Sequence, residues 1–243
     1  MSKKIIGIDI NEVLRARWIQ FDRFYYDEFG EDGIPEKPYV YDFWKEYEWK
    51  DSEETVDYLN EELPDDISPL DYQINEETGE APVDSLAFKK EFKLVTAREK
   101  YKKFMYEDFL FEIHGSAPKM YKNLQIDLDK FYTKYKDQFD IRIISKENWF
   151  TIPPTLFFLS TLMSRINTYH FVENNEEIWN TVDYMITTDP ELINNSYEGK
   201  SIKLLRPYNE EIKGDFEAIQ IFDLIENKDF ENFINFKKVE EEK

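Results

Sequence analysis

The chain has no cysteine among its 243 residues. Disulfide bridges, thiolate nucleophiles and cysteine-based metal sites are therefore excluded. Long apolar runs are lacking as well: the longest, around PPTLFFLSTLM, falls far short of the roughly 20 residues that a transmembrane helix needs. The N-terminal apolar run, from Ile5 to Ile8, is too short for a signal peptide. We expect a soluble intracellular protein without membrane contact.

Basic residues are scarce. Lys and Arg number 31 against 52 Asp and Glu, which gives a formal charge of −21. A field of that sign repels phosphate backbones, so direct contact with nucleic acid is not expected. Aromatic residues, by contrast, make up 17% of the chain. This share is too high for a disordered acidic protein, and part of it is available for protein partners.

Short β-branched runs alternate with helical patterns in much of the chain. KIIGIDI, at residues 4–10, is typical of a strand buried on both faces, and a helical pattern follows it as far as Gly30. From residue 139, strand-like DIRIIS, TYHFVE, DYMITTD and KSIKLLRP alternate with helix-like PPTLFFLSTLMSRI and NNEEIWNTV. This succession predicts an α/β fold with a doubly wound parallel sheet.

The middle of the chain has a different character. Residues 31–90 hold five prolines and acidic runs, with one short helix predicted near 52–62. Helical patterns return at about 97–112 and in NLQIDLDKFYTKYKDQ. We therefore predict one sizeable domain from residues 1–30 and 138–226, a mostly helical insertion at 31–137, and a solvated acidic tail at 227–243.

Three predicted strands end on short polar residues, namely Asp9, Ser145 and Asp189. In a doubly wound sheet, ligands bind outside the carboxyl ends of the strands, where these side chains would share one edge. Each residue also fits a plain structural role. Asp9 and Ser145 could cap the following helix, and Asp189 before Pro190 could open a turn.

The same residues resemble the motifs of the haloacid dehalogenase-like (HAD) superfamily of phosphohydrolases. DINEVL at 9–14 matches its first motif, IRIIS its second, and YMITTD its fourth. The later TTDPELI…GKSIKLLRPYN is similar to the deoxyribonucleotidase branch. The resemblance covers residues 3–30 and 138–208, and no single motif in it is specific.

That resemblance implies a Mg²⁺-dependent phosphoryl transfer. Asp9 would attack phosphorus, and Mg²⁺ would be held by Asp9, Asp189 and the backbone carbonyl of Asn11. Ser145 would bind the phosphoryl group, and Lys146 or Arg165 would stabilise its charge. A nucleoside monophosphate is the ligand that the deoxyribonucleotidase-like ending suggests.

The chain departs from the family pattern in three places. Asn11 stands at the acid/base position, and an amide exchanges no proton near neutral pH, a loss of roughly 10²–10⁴ in rate. Thr188 stands where a second acidic ligand would begin. No lysine lies between Lys146 and Lys200, the interval that holds the family's charge-stabilising lysine. Together these changes indicate a degenerate site.

A second candidate for the second motif is KLVTARE, with Thr96 and Arg98. It would bring lysines 100, 102, 103 and 119 into consideration as catalytic groups. We favour Ser145, because a helix, a strand and a further helix follow it before Asp189. The lone histidines His114 and His170 have no second ligand at a useful spacing, so we expect them to pack or to form hydrogen bonds.

The segment YVYDFWKEYEW crowds aromatic side chains among charges, outside any clean helical period. The HAD resemblance makes the insertion at 31–137 a cap placed after the first strand. The segment is equally compatible with a surface that binds a protein partner and with a small core of this cap. The candidate partner-binding residues are Tyr39, Tyr41, Phe43, Trp44, Tyr47 and Trp49.

We therefore expect a HAD-like protein that is catalytically inactive and serves as a structural or assembly component, through protein partners or homo-oligomers. The opening GIDINEVLRARW is similar to HAD-like proteins of crAss-like phages, which implies the host cytoplasm and a virion role such as a neck or tail ring. The alternative is an active Mg²⁺-dependent 5′-nucleotidase with Mg²⁺ as its cofactor. An acidic adaptor that binds nucleotide without turnover lies between the two.

Overall fold

The computed structural model describes residues 3–30, 47, 49, 52–57, 90–196 and 199–235. The strands within these ranges are β1 (Lys4–Ile8), β2 (Ser52–Asp57), β3 (Lys90–Val95), β4 (Phe139–Lys146), β5 (Tyr169–Val172), β6 (Tyr184–Thr187), β7 (Lys200–Leu204) and β8 (Phe216–Ala218). The helices are α1 (Arg17–Phe29), α2 (Ala97–Lys103), α3 (Leu110–His114), α4 (Leu124–Tyr135), α5 (Ile152–Leu162), α6 (Asn175–Thr181), α7 (Pro190–Asn194), α8 (Phe222–Ile225) and α9 (Lys228–Asn235).

The main sheet has six strands in the order β5-β4-β1-β6-β7-β8, and every neighbouring pair is parallel. The strand order reverses on either side of β1, which makes β1 the topological switch point of a doubly wound sheet. The predicted α/β class is confirmed. The strands predicted from KIIGIDI, DIRIIS, TYHFVE, DYMITTD and KSIKLLRP all form, as β1, β4, β5, β6 and β7.

Helices cover both faces of this sheet. On one face Ile6 and Ile8 of β1 join a large core with Leu128 and Phe131 of α4 and Phe230 of α9. The other face carries a smaller core, in which side chains of α6 and α7 pack on Ile144 and Met185. A strand covered on both sides must be apolar at nearly every position, which is why KIIGI contains no clean alternation.

Gly7 is the one small residue of β1, and its place leaves no room for a side chain. A Cβ there would lie 2.7 Å from Ile144 and 2.8 Å from the sulfur of Met185. The neighbouring side chains close directly over the backbone of the central strand, so the glycine is required by packing.

The described residues fall into two compact units, one from Met1–Glu48 with Lys102–Lys243 and the other from Trp49–Tyr101. In the second unit β2 and β3 form an antiparallel pair. The short helix predicted near 52–62 is therefore wrong over residues 52–57, where SEETVD forms a strand because it finds a partner in KEFKLV. The remainder of that predicted helix lies outside the described residues.

Two helices outside the predicted core segments also pack in the main core. Helix α4, assigned to the insertion, contributes Leu124, Leu128 and Phe131 to the main core. Helix α9, assigned to the acidic tail, buries Phe230 and Ile234 in that core. The acidic residues on the outer face of α9 suggested a solvated tail, and its apolar stripe was therefore overlooked in the sequence. Among the described residues, no helix combines the length and apolar character needed to cross a bilayer.

Candidate functional site

The carboxyl ends of β4, β1 and β6 lie side by side and bring Asp9, Ser145 and Asp189 to one edge of the sheet. Ser145 donates its hydroxyl to Oδ1 of Asp9 at 2.9 Å. Thr187, the last residue of β6, donates to Oδ2 of Asp9 at 2.9 Å and accepts the backbone N–H of Asp189 at 3.0 Å. The Thr187 hydroxyl thus links the two acidic residues, a part that the sequence analysis did not assign to it.

Burial controls the electrostatics of this edge. Asp9 is 3% exposed, and burial, with the nearby Asp189 carboxylate, raises its pKa to about 6. The hydrogen bonds from Thr187, Ser145 and the Ile10 amide act in the opposite direction. Burial also raises the pKa of Asp189, whose Oδ1 caps α7 by accepting the N–H of Glu191 at 2.8 Å. Two acidic groups are thus held together in a poorly solvated place.

The chain turns sharply after Asp9. The amides of Leu14 and Arg15 both bond to the carbonyl of Ile10, at 2.9 and 3.1 Å, and Glu12 has a positive φ of 58°. The helix predicted to start near Glu12 therefore begins only at Arg17. This turn directs Arg15 into the protein, where it is fully buried.

Arg15 occupies the centre of a buried hydrogen-bond network. Its Nε donates to Oδ1 of Asn11 at 2.8 Å. One terminal nitrogen donates to the carbonyl of His114 and to the hydroxyl of Thr155, both at 2.7 Å, and the other to Glu147 at 2.7 Å. A buried guanidinium is tolerated only when it is paired and its donors are used, and both conditions hold here.

Two further groups complete this network. Oε2 of Glu147 accepts the hydroxyl of Thr151 at 2.6 Å. Nδ1 of His114 lies 3.3 Å from Arg15, and since arginine can only donate, the ring accepts. Burial and the charge of Arg15 lower the pKa of His114 well below its usual value, so the ring is neutral. His114 has the hydrogen-bonding role expected from the sequence, and His170 lies exposed on β5.

The sequence analysis missed Arg15. Its spacing of four from Asn11 was visible, but nothing in the sequence connects it to Glu147 or Thr155, which lie more than 130 positions away.

The Mg²⁺ ligands implied by the motif resemblance have other partners. Both carboxylate oxygens of Asp9 accept hydrogen bonds from the protein. The backbone carbonyl of Asn11 accepts the hydroxyl of Thr188 at 3.4 Å. Within the described ranges, no cluster of three or more His, Asp or Glu side chains is arranged to hold a metal ion. Asp9, Asp189 and the Asn11 carbonyl are oxygen donors of the kind that Mg²⁺ takes, and these hydrogen bonds compete with a metal for them.

The two candidate phosphate-binding cations are in different places. Lys146 ends β4 next to Ser145, and its Nζ lies 3.7 Å from Glu191 with the side chain 46% exposed. Its charge acts to lower the pKa of Asp189. Arg165 lies between α5 and the start of β5, at the amino edge of the parallel sheet, where its amide bonds to Asp129 at 2.9 Å. The structure therefore brings Lys146 to the site and leaves Arg165 at the opposite edge.

Thr96, the alternative second-motif residue, ends β3 of the two-stranded sheet. It caps α2: its amide bonds to the carboxylate of Glu99 at 2.9 Å, and the amide of Glu99 bonds back to its hydroxyl at 3.3 Å. Ser145, by contrast, lies near the end of a strand of the main sheet and bonds to Asp9.

One proposed partner-binding aromatic is a core residue. Tyr47 is 4% exposed and packs at ring distances of 4.8 Å against Phe21 and Tyr25 of α1, with its hydroxyl bonded to Asp22. It cannot contribute to a partner surface while it is buried there. Trp49 is partly buried and meets Tyr101 edge-on at 6.1 Å. Tyr39, Tyr41, Phe43 and Trp44 lie outside the described residues.

The chain matches none of the protein-family models and none of the curated proteins with which it was compared. Among solved structures, it is similar to a haloacid dehalogenase-like hydrolase from Burkholderia xenovorans LB400. The two chains are 11% identical, the match covers 94% of this chain and 98% of that one, and the TM-score is 0.47. We take the fold from the sheet topology and draw no chemistry from this likeness.

Proposed function

We propose that this chain is a HAD-like protein whose phosphohydrolase-type site turns over no phosphate ester, and that it serves as a structural or assembly component. The observation that carries the proposal is the bond between Asn11 and Arg15. The residue at the acid/base position has no titratable proton, and its amide oxygen is committed to a buried guanidinium. The finer assignment, to a neck or tail ring of a phage virion, rests on the resemblance of GIDINEVLRARW alone.

The surroundings of Asp9 support the same conclusion. A nucleophilic carboxylate must reach its substrate, and hydrogen bonds to its oxygens lower their nucleophilicity. Asp9 is 3% exposed, and both of its oxygens accept hydrogen bonds from Ser145, Thr187 and the Ile10 amide. These bonds hold Asp9 as a structural acceptor that joins β4, β1 and β6.

The second candidate function is a Mg²⁺-dependent 5′-nucleotidase, and one observation favours it. Asp9 and Asp189 are close enough for the charge of one to raise the pKa of the other. A bound cation would relieve that repulsion. In this alternative Lys146 is the cation available to a phosphoryl group, and a nucleoside monophosphate is the substrate class.

The two functions are separated by Mg²⁺-dependent phosphate release from a panel of nucleoside monophosphates and p-nitrophenyl phosphate. We expect no release above the protein-free control by the wild type or by Asp9→Asn, with circular dichroism confirming that both are folded. The control variant is Asp140→Asn, at the amino end of β4 and away from the site. If the wild type and Asp140→Asn release phosphate and Asp9→Asn does not, the proposal is overturned in favour of the nucleotidase.

Asn11→Asp sharpens the test. A carboxyl placed there would lie against Nε of Arg15, which would keep it ionised and unable to protonate a leaving group. We therefore expect Asn11→Asp alone to be inactive. Activity in this single variant would show that Arg15 does not control the acid/base position.

A further inference from the structure

One stretch of the chain carries no charge. From Asn148 to Ser164 there is no Asp, Glu, Lys or Arg across 17 residues, whereas 34% of the whole chain is charged. A typical stretch of this length here would hold about six charged residues. The uncharged stretch contains α5. Burial explains the lack of charged residues only on the side of α5 that faces the core.

The other half of α5 faces outward. Leu156 and Phe157 are 42% and 46% exposed, Trp149 just before the helix is 82% exposed, and Met163 just after it is 70% exposed. Phe111 of α3, 46% exposed, packs against Phe157 at a ring distance of 4.9 Å. We call these five residues the α5 face. Phe157 and Phe111 touch each other, and exposed apolar patches mark interaction sites.

The α5 face is held rigidly from beneath. Thr155, on the buried side of α5, accepts a hydrogen bond from Arg15 at 2.7 Å. The same nitrogen of Arg15 bonds to the carbonyl of His114, the last residue of α3. One buried guanidinium therefore ties together the two helices that present Phe157 and Phe111. A surface fixed in this way loses little conformational freedom on binding.

We propose that the α5 face docks a second copy of this chain, in a two-fold pair that places α5 against α5. This proposal rests on the assembly role proposed above and names its partner. The argument is electrostatic. In a two-fold interface each residue near the axis meets its own copy, so any charge there meets a like charge. For a chain of net charge −21, a surface without charge is where two copies meet least repulsion.

The size of the α5 face is adequate for such a pair. Large aromatic side chains each offer about 150–250 Å². At the exposed fractions of Trp149, Phe157 and Phe111, these three alone leave on the order of 400 Å² accessible. A stable interface buries about 800 Å² per partner. Leu156, Met163 and the neighbouring backbone account for much of the remainder.

The test is the mass of the full chain in solution, by light scattering and sedimentation velocity between about 1 and 100 μM, a range that brackets weak and ordinary homodimers. We expect a mass twice the 29.5 kDa of one chain. Phe157→Glu should raise the dissociation constant by about 30-fold or more, since it places a charge at the centre of the interface. Leu156→Lys should do the same with a charge of opposite sign.

Phe222→Glu is the matched control, because Phe222 is 47% exposed, as Phe157 is, but lies at the start of α8. It should leave the dimer intact. Added salt should strengthen the wild-type dimer, since it screens repulsion between the acidic chains without weakening apolar contact. A wild type that stays monomeric throughout, or a dimer that Phe157→Glu and Leu156→Lys leave unchanged, would overturn the proposal.

Phosphate release measured on the same samples separates this inference from the proposed function. A dimer that depends on Phe157 and also releases phosphate would support the docking surface while the inactive role fails. A monomer without turnover would overturn the docking surface and leave the inactive site standing.

Discussion

Arg15 donates through Nε to the side-chain oxygen of Asn11 at 2.8 Å, and both residues are buried at the switch point of the sheet. Under the proposed function, Asn11 stands where an active phosphohydrolase would exchange a proton with the leaving group. In the structure, Asn11 holds a guanidinium that connects the turn after β1 to α3, α5 and the end of β4. Asn11 thus contributes to the packing of the core.

The ion pair between Arg15 and Glu147 gives the first prediction. Arg15→Met should lower the free energy of unfolding by about 3–5 kcal/mol, because it leaves Glu147 buried without its partner. The double variant with Glu147→Gln should recover part of this loss, since neither member of the pair is then charged. Urea denaturation of both single variants and the double variant measures the coupling. A loss in Arg15→Met no larger than that of Arg142→Met, in the half-exposed pair with Asp140, would contradict the central role of the network.

Asp9 gives a prediction that depends on pH. The pKa of Asp9 is about 6 in the folded protein against 3.8 for a free side chain. Between these values the native state binds more protons than the unfolded chain, so this group makes stability fall as pH rises from 4 to 6. Above pH 7 the buried charge costs about 3 kcal/mol. Asp9→Asn should therefore be more stable than the wild type by about 1–3 kcal/mol at pH 8, and nearly equal to it at pH 4.

Urea denaturation at several pH values checks this difference. Asp137→Asn is the control, because the side chain of Asp137 is 85% exposed and substitutions at such surface positions change stability little. A variant at Asp9 that is less stable than the wild type at pH 8 would show that the hydrogen bonds from Ser145 and Thr187 outweigh the cost of burying the charge.

The sequence predicted the structure well where a segment's own residues determine its conformation. Runs such as KIIGI and FDIRIIS are apolar because strands covered on both faces must be, and their ends place Asp9 and Ser145 without knowledge of the fold. The sequence failed where the decisive partner is remote. SEETVD became a strand only through KEFKLV, and Arg15 became central only through Glu147 and Thr155. Propensity and spacing do not carry such long-range pairings.

The next prediction concerns Tyr47, which the sequence suggested as a partner-binding residue and the structure shows to be buried. Tyr47→Ala should lower the free energy of unfolding by about 3–5 kcal/mol, since it removes a buried ring packed on Phe21 and Tyr25. Tyr26→Ala, at a side chain that is 49% exposed on α1, should change it by less than about 0.5 kcal/mol. Equal small effects from the two substitutions, measured by urea denaturation, would return Tyr47 to the candidate surface residues.

Thr155→Val tests whether the network fixes the orientation of α5. The substitution keeps the shape of the side chain and removes the acceptor for Arg15, whose nitrogen still bonds to His114. We expect a loss of about 1.5–3 kcal/mol, typical of a hydrogen bond to a charged group, and faster amide hydrogen exchange in α5 than in α4. Thr161→Val is the control in the same helix, because the hydroxyl of Thr161 bonds only to the carbonyl of Phe158 within that helix.

If α5 loosens in Thr155→Val, self-association should weaken with it, although Thr155 is buried and cannot touch a second copy. The reason is entropic: a helix that moves must be ordered again when the interface forms. Faster exchange in α5 with unchanged self-association would separate the two roles, leaving Arg15 as a brace of the fold alone. Weaker association in Thr155→Val but not in Thr161→Val would connect the candidate site to the surface through one guanidinium, and would give a physical reason for an arginine at this position.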